Sequence, residues 1–287
     1  MRSNTAWICA LAASAALLCG CSRSSPHVLE VVSAQSTKLT LEPLDAAWNG
    51  LPEHVAKLLP QDLVEPRVLK PTTPEVRVRS LQNGAEIAFR LEWVDANVND
   101  LPGMGRFLDG CAVQIPSRIE ANAPDPQMGQ AKRPVEVTFW RADWQASVNG
   151  RKDDLQALYP NTTVDHHPFN AKPLAPGSPE QKQMAMRYAP AEAVGNRRVG
   201  PRESPVEELV AEGPGSLAPA ASPTSRGRGV RTKDGWTVVL ARRYPTGLSA
   251  KTRTQVAFAV WDGSQHEVGA RKMRTGWIPL VAREAAR

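Results

Sequence analysis

The sequence predicts an all-β protein built as an antiparallel β-sandwich. Three observations indicate this class: seven or more short runs rich in β-branched and aromatic residues, turn signals between these runs, and 25 prolines among 287 residues. β-Branched residues pack well on a pleated sheet, whereas proline interrupts helices and is tolerated in turns. Many short strands that alternate with turns are typical of sandwiches.

A hairpin over residues 76–93 is the clearest local element. Every second residue from Ile87 to Trp93 is apolar, and Asn83-Gly84 comes shortly before this run. Asn-Gly is the pair preferred in tight hairpin turns, and the alternation buries one face of a strand. The pattern therefore predicts that Val76–Ser80 pairs with Glu86–Trp93, with one face of the pair in the core.

Further strands are predicted where short apolar runs end at turn residues. The run Val135–Trp144 is apolar on both faces, which predicts that a loop or a bound group covers its outer side. The other predicted strands are Ala112–Pro116, Gly235–Arg243, Thr254–Trp261 and Trp277–Val281.

A long irregular segment lies in the middle of the chain. Ten prolines fall between Pro168 and Pro223. Loops of this length without secondary structure are uncommon inside a compact domain unless they serve a function. Two interpretations stay open: the segment covers a functional site at one end of the sandwich, or part of it, above all Pro214–Gly229, links two domains.

The N-terminus predicts export and lipid attachment. Ala6–Leu18 is an apolar run too short to span a bilayer as a stable helix, and it ends in Leu-Cys-Gly-Cys. This ending resembles a bacterial lipobox, in which the chain is cut before the second cysteine, Cys21, and lipid is added to its thiol. We expect a signal peptide over residues 1–20, a tether over 21–40 and a folded domain over 41–287. An ordinary secretory signal cut elsewhere is the alternative.

Cysteine usage and charge exclude several classes of function. Cys111 is the only cysteine after Cys21, and it lies in a short apolar run typical of a buried residue. The sequence has no C-x-x-C-H motif for covalently bound haem and no C-x-x-C pair for zinc or an iron–sulfur cluster. The 35 basic and 29 acidic residues are interspersed, so we expect no nucleic-acid partner.

Two stretches carry the most specific signal. Residues 124–144 read PDPQMGQAKRPVEVTFWRADW, and residues 255–280 read QVAFAVWDGSQHEVGARKMRTGWIPL. Together they resemble the haem-b-binding γ subunit of the ethylbenzene dehydrogenase and type II dimethyl sulfoxide reductase family, from about Trp48 to Leu280. In that family a methionine and a lysine hold the haem iron, and these positions correspond to Met128 and Lys272.

The resemblance implies an electron-transfer subunit rather than a catalyst. Two protein ligands fill both axial positions of the iron, so no position is left open for substrate. The family implies a molybdenum-containing α subunit and an iron–sulfur β subunit as partners, with a soluble cytochrome as the electron partner. The lipid anchor implies a place on the periplasmic side of the cell envelope, and the outer membrane is one of the two membranes that could hold it. Lysine binds iron only as the neutral amine, which an apolar haem pocket favours.

Other residues could also ligate the iron or surround the haem. Met104 and Met273 are alternative thioethers, and His166 and His167 are alternative ligands, although a hydrogen-bonded loop pair fits the two histidines better. His54 and His266 are expected to be solvated. Cations that flank the motifs could meet haem propionates or lie on the surface, and tryptophans could wall the pocket or fill the core. These residues are Arg271, Arg274, Arg133, Lys132, Trp140, Trp144 and Trp277.

A second function of a different class remains open. The sandwich architecture also serves carbohydrate-binding modules, and exposed tryptophans stack on sugars. An envelope lipoprotein that binds carbohydrate or another ligand without haem is therefore the alternative. A hydrolase is not supported, because the sequence has no Gly-x-Ser-x-Gly motif and no pair of histidines spaced to bind a metal on a helix.

Overall fold

A computed structural model describes residues 29–60, 62, 65–152, 159–161, 174–175, 177–188 and 202–283. The described part contains thirteen strands, two α-helices and two 3-10 turns. The strands are β1 Val31–Gln35, β2 His54–Lys57, β3 Glu75–Gln82, β4 Glu86–Val94, β5 Gly110–Pro116, β6 Val135–Arg141, β7 Val206–Ala211, β8 Ala218–Pro219, β9 Arg226–Arg231, β10 Gly235–Arg243, β11 Thr254–Trp261, β12 Met273–Arg274 and β13 Ile278–Arg283. The helices are α1 Ala142–Val148 and α2 Pro179–Tyr188, and the 3-10 turns are Ala46–Trp48 and Gly263–Gln265.

The strands form two layers that share one strand. One layer has the order β8-β7-β6-β5-β11, and the other has the order β13-β1-β3-β4-β10-β9. Strand β11 belongs to both, because Thr254–Val256 pairs with β13 whereas Ala257–Trp261 pairs with β5. The predicted all-β sandwich is confirmed. Its sheet is mixed, since β1 runs parallel to both β3 and β13 while the other pairings are antiparallel.

The core lies between the two layers. Phe89 of β4 meets Phe258 of β11 at a ring distance of 6.2 Å, and Trp140 of β6 meets Trp236 of β10 at 5.1 Å. Both pairs adopt the edge-to-face geometry that aromatic rings prefer. Each pair joins a strand of one layer to a strand of the other, so the apolar faces of the two layers pack together.

The predicted hairpin is confirmed in position and register. Strands β3 and β4 pair from Arg77 opposite Glu92 to Gln82 opposite Ile87. The turn between them has Gly84 at φ +84, and the Asn83 side chain accepts hydrogen bonds from two backbone N–H groups that follow it. The Asn-Gly pair therefore fixes the register that buries one face of the hairpin.

The predicted strand Val135–Trp144 ends earlier than its sequence indicated. Strand β6 stops at Arg141, and α1 begins at Ala142. Asp143 lies in the first turn of this helix, where a negative charge is favourable, and it forms an ion pair with Arg141. Trp144 therefore lies on a helix and not in a sheet.

The tether predicted over residues 21–40 overlaps the fold. Val31–Gln35 forms β1, an inner strand between β13 and β3, and Val31 and Val32 are buried. Backbone pairing on both sides and burial of these two side chains hold the segment in the sheet. The signal peptide and Cys21 lie outside the described residues.

The proline-rich centre contains regular structure. Helix α2 and strand β7 lie within it, and β7 pairs with β6 at six positions. Between Pro214 and Gly229, β8 pairs with β7 and β9 pairs with β10, so this part is not a linker between two domains. Among the described residues no helix is both long enough and apolar enough to cross a membrane.

Candidate functional site

A cavity of about 640 Å³ lies against the outer face of one layer. Side chains of β5, β6, β7 and β11 form its floor, and four further segments form its walls. The wall residues are 106–108, 126–128, Pro214, Gly215, Leu217, 267–270, Lys272, Arg274 and Thr275. Its volume falls in the range of small-molecule and cofactor pockets. The cavity therefore faces away from the core, over a broad sheet surface and not at an end of the sandwich.

Small side chains make the floor flat and apolar. Ala112, Ala257 and Ala259 line the cavity, whereas their neighbours Cys111, Val113 and Val260 belong to the core between the layers. This division follows from the alternation of side chains along a strand. Alanine at these positions leaves space above the sheet that larger residues would fill.

Met128 lines the cavity from a tight turn. Its backbone has φ +72, and Gly129 follows with φ +75. Positive φ is uncommon for a residue with a side chain, and it recurs where the surrounding structure holds a residue for a function. The Met128 side chain is half-buried and packs against the apolar cluster formed by β5, β6, β7 and β11.

Hydrogen bonds from three separate elements hold the Met128 turn. The Gln114 amide donates to the Pro126 carbonyl at 2.9 Å, and the Trp277 indole N–H donates to the Pro124 carbonyl at 2.6 Å. The Gly213 N–H donates to the carbonyl of Met128 itself at 2.8 Å. Because these donors lie on β5, before β13 and after β7, the position of the methionine depends on the whole layer.

Lys272 lines the same cavity from the segment between β11 and β12. Its Nζ lies 5.5 Å from the centre of the Trp261 ring, and in the described part of the chain it has no ion pair with a carboxylate. Burial, and to a lesser degree the nearby Arg274, lower the pKa of Lys272 from 10.5 to about 8. The amine therefore loses its proton far more easily than an exposed lysine does.

Several predicted cations differ in their positions around the cavity. Arg274 lines it, whereas Arg271 does not, and the Arg271 guanidinium lies 5.7 Å from the centre of the Phe107 ring. Arg133 forms an ion pair with Glu120, and Lys132 is exposed on the loop after Met128. Of the four predicted cations, Arg274 is thus the one placed on the cavity wall.

None of the three predicted tryptophans lines the cavity. Trp140 is 0% exposed and packs between the layers, because its side chain points to the opposite face of β6 from Val137 and Phe139. Trp144 is buried on α1, edge-on to Phe139. Trp277 does not line the cavity, but its hydrogen bond to Pro124 joins the C-terminal motif to the methionine motif.

The alternative ligands that the structure describes do not line the cavity. Met104 is 98% exposed, and Met273 is fully buried in the core behind the sheet. His266 is exposed beside Phe107, His54 lies on β2, and neither lines the cavity. His166 and His167 lie outside the described residues. Cys111 is buried as predicted, and burial raises the pKa of its thiol well above the ordinary value.

Sequence reasoning missed several residues of the site. Arg106 and Arg141 add two guanidinium groups to the lining, and Gln114 contributes the amide that holds Pro126. The even spacing of Ala257, Ala259 and Trp261 is the signal that could have found the floor. Arg141 follows Val137 and Phe139 at the same even spacing on β6, so that signal could have found it too. Arg106 gave no such signal, because nothing local marks which loop arginine turns towards a distant strand.

The fold and the site define a class of protein. It is a β-sandwich whose outer sheet face carries an apolar cavity with a thioether and a readily deprotonated amine on its walls. The sequence profile described as ethylbenzene dehydrogenase matches residues 45–273. The chain belongs to this family, as the two motifs indicated.

Two relatives are similar over most of this chain. A protein of Haloferax mediterranei named as a respiratory nitrate reductase heme subunit is 25% identical over 243 residues, covering 82% of this chain and 66% of that protein. The chlorate reductase subunit gamma of Ideonella dechloratans is 24% identical over 216 residues, covering 72% of this chain and 65% of that protein. The matches thus span just under two thirds of the length of each relative.

Solved structures of a carbohydrate-binding module resemble the fold at low identity. The family 9 module of Caldicellulosiruptor kristjanssonii in complex with glucose has a TM-score of 0.44 and 8% identity, covering 89% of this chain and 96% of that one. The same module with cellotriose has a TM-score of 0.45 and 8% identity, covering 89% and 94%.

Proposed function

We propose that this protein binds one b-type haem in the cavity, with Met128 and Lys272 as the axial ligands. The observation that carries the proposal is that these two residues, far apart in the sequence, line the same cavity. Haem supplies one-electron redox chemistry when it is bound. The flat floor of alanines suits a planar macrocycle, and the apolar lining suits its hydrophobic faces.

Both side chains have the chemistry that an iron ligand needs. A thioether is a soft ligand that raises the potential of a haem iron, and it carries no proton that must first be removed. An amine must be neutral to donate its lone pair, and the lowered pKa of Lys272 brings the neutral form close to physiological pH. The absence of a carboxylate partner for Lys272 within the described residues favours the same form.

Arginines at the cavity can receive the haem carboxylates. Arg106, Arg141 and Arg274 line the cavity, and Arg106 is exposed. Arg141 already forms an ion pair with Asp143. Arg274 has a weaker one, since its Nη2 lies 3.9 Å from the Oδ1 of Asp62. Arg106 and Arg274 are therefore the best candidates for charge-assisted hydrogen bonds to propionates.

We further propose that the protein is the electron-transfer subunit of an oxidoreductase complex. The names of the two relatives, a nitrate reductase heme subunit and a chlorate reductase γ subunit, support this role. A molybdenum-containing α subunit and an iron–sulfur β subunit would be its partners, and a soluble cytochrome would exchange electrons with it. Lipidation at Cys21 would hold the complex at a membrane of the cell envelope, on the periplasmic side.

An absorption spectrum tests the haem proposal. Protein from cells with ample haem should show a Soret band and sharp α and β bands after reduction. Met128→Ala and Lys272→Ala should each lose the low-spin six-coordinate spectrum, because each removes one axial ligand. Met104→Ala and Lys233→Ala are matched controls, since both native side chains are exposed and lie away from the cavity, and they should keep the spectrum of the unchanged protein.

Two results would contradict the proposal in different ways. Unchanged reduced spectra in both ligand variants would refute the axial assignment while leaving haem binding intact. A colourless protein that binds glycans would favour the carbohydrate alternative. Of the seven tryptophans in the described part, all are buried or half-buried, and Trp261 is the one that lines the cavity, so a sugar bound there would have one indole ring to stack on.

A further inference from the structure

Three carboxylates outside the cavity converge where three strands end. Asp95 follows β4, Asp109 precedes β5 and Asp262 follows β11. One carboxylate oxygen of each residue lies within 4.8 Å of the corresponding oxygens of the other two. Asp95 and Asp109 are almost completely buried, and Asp262 is half-buried. Carboxylates held this close repel one another unless something positive lies between them.

Asp95 has a buried oxygen without a partner. The side chain is 5% exposed, its Oδ1 accepts the Asn97 N–H at 2.9 Å, and its Oδ2 has no hydrogen-bond partner among the described residues. The carboxylate that carries this oxygen also faces Asp109 and Asp262. Leaving a buried carboxylate oxygen unsatisfied is costly, so its position indicates a ligand and not simply an acidic surface.

The other two carboxylates are fixed in place by donors behind them. Asp109 accepts hydrogen bonds from the N–H groups of Asn99 and Gly263 and from the Trp236 indole, at 2.8–3.0 Å. Asp262 accepts from the N–H and the hydroxyl of Ser264, at 2.8 and 2.7 Å. These bonds orient the oxygens before any ligand arrives, as in a preorganised site.

The charge around the cluster is negative. Glu267, which accepts a hydrogen bond from the Asp262 N–H, adds a fourth carboxylate. The cations near these groups are Arg231, whose Nη2 donates to the Asp95 carbonyl at 2.6 Å, and Arg271 beside Glu267. Burial, and then the charge of Asp109, raise the pKa of Asp95 to about 6. A cation between the carboxylates would relieve the repulsion between Asp95 and Asp109, which is the smaller of these two causes.

We propose that Asp95, Asp109 and Asp262 bind a divalent cation, with Ca²⁺ the ion that fits best. Oxygen ligands at 2.3–2.6 Å from Ca²⁺ can lie up to about 5 Å apart, and the measured limit of 4.8 Å falls within that span. Mg²⁺ requires shorter bonds in a stricter octahedron, which three separate strand ends meet less easily. The proposal does not depend on haem binding.

Such an ion would connect two walls of the cavity. Asp95 and Asp109 flank the loop that carries Arg106 and Phe107, and Asp262 opens the segment that ends at Lys272. A cation shared by these carboxylates would therefore fix the loop on one side relative to the lysine on the other. Its loss should loosen both segments without disturbing the core.

Calcium titration of the full chain tests the proposal. After treatment with EDTA and removal of the chelator, calorimetric titration with CaCl₂ should show one saturable site per chain, and Tm should rise with Ca²⁺ concentration. Asp95→Asn should raise Tm in the absence of metal, because it relieves repulsion, and should abolish the rise caused by Ca²⁺. Asp234→Asn is the matched control, since Asp234 is exposed and only its backbone carbonyl meets Asp95, and it should keep wild-type affinity.

The site is overturned if the unchanged protein shows no saturable Ca²⁺ binding, which is measured independently of any variant. It is equally overturned if folded Asp95→Asn binds Ca²⁺ as tightly as the unchanged protein. Should Asp95→Asn fail to fold by circular dichroism, the half-buried Asp262→Asn replaces it, with an expected loss of at least about tenfold in affinity. Tighter binding of Mg²⁺ than of Ca²⁺ would refute the choice of ion.

Discussion

Lys272 is a half-buried lysine on the cavity wall, and its position should weaken the fold as long as its amine is charged. Its amine lies on the cavity wall without a carboxylate partner among the described residues, so its charge is poorly compensated. The neighbouring Arg274 adds to this effect. The charged amine of Lys272 therefore destabilises the protein in the absence of a ligand, and coordination of the neutral amine would remove this cost.

The pH dependence of stability should reveal this cost. The pKa of Lys272 is about 8 in the folded protein and 10.5 for an ordinary lysine. The charged amine therefore destabilises the fold in full below pH 8, and this penalty shrinks as the pH rises and is gone above pH 10.5. Haem-free Lys272→Met should therefore be more stable than the unchanged protein at pH 7, and this difference should shrink towards pH 10.5. Urea unfolding at the two pH values measures it.

Lys233→Met is the control for this measurement, because Lys233 is exposed on the turn before β10. It should change stability little at either pH. A Lys272→Met variant whose advantage is the same at pH 7 and pH 10.5 would show that the amine of Lys272 is solvated, contrary to its position in the structure.

The turn that carries Met128 is the element on which the site depends most. Gly129 has φ +75, and a Cβ at this position would lie 3.0 Å from the carbonyl oxygens of Ala211 and Arg133. Glycine is therefore required twice, once for the backbone conformation and once for the close approach of β7. The neighbouring hydrogen bonds from Gln114 and Trp277 complete the attachment of the turn.

Gly129→Ala should destabilise the protein and displace the methionine. The left-handed conformation alone costs an alanine about 1–2 kcal/mol, and the contacts with the two carbonyls add to it. Gly105→Ala isolates the first effect, because Gly105 has φ +69 and nothing within 4 Å of the added Cβ. Urea unfolding of the two variants measures the difference. Equal losses in both would mean that the Met128 turn is not packed tightly against β7.

On the scale of the whole molecule, the outer layer separates stability from binding. Strand β11 presents Ala257 and Ala259 to the cavity and Val256 and Val260 to the core. Neighbouring residues on this strand therefore belong to different parts of the structure, one to the cavity lining and the next to the core. Because the core lies on one side of this layer and the cavity on the other, a change to the cavity floor need not disturb the packing between the layers.

Two neighbouring substitutions test this separation. Ala259→Leu should fill part of the cavity, abolish the Soret band and leave Tm nearly unchanged. Val260→Ala should keep the haem spectrum but lose roughly 2 kcal/mol of stability, because it leaves a space in a fully buried position. Absorption spectra and urea unfolding of both variants provide the measurements. If Ala259→Leu binds haem normally, the cavity described above is not the haem site.

Some parts of the fold and the site followed from local pattern. The hairpin of β3 and β4 was predicted because alternation and an Asn-Gly turn act over a few residues. Met128, Lys272 and Arg274 line one cavity, and their roles in haem binding stay predictions. For Trp140 the sequence left open both the pocket wall and the core, because a strand with apolar residues on both faces does not reveal which face meets the core, and the structure places it in the core.

The β class and the positions of most strands follow from the sequence, since side-chain alternation is a property of neighbouring residues, and the two candidate ligands come from its resemblance to a known family. Only the tertiary structure decided which face of β6 and β11 is the cavity floor, where Arg106 lies, and that Asp95, Asp109 and Asp262 meet. These facts depend on how distant segments pack in the two layers. No local pattern records such packing, because contacts between strands far apart in the chain are set by the burial of the whole core.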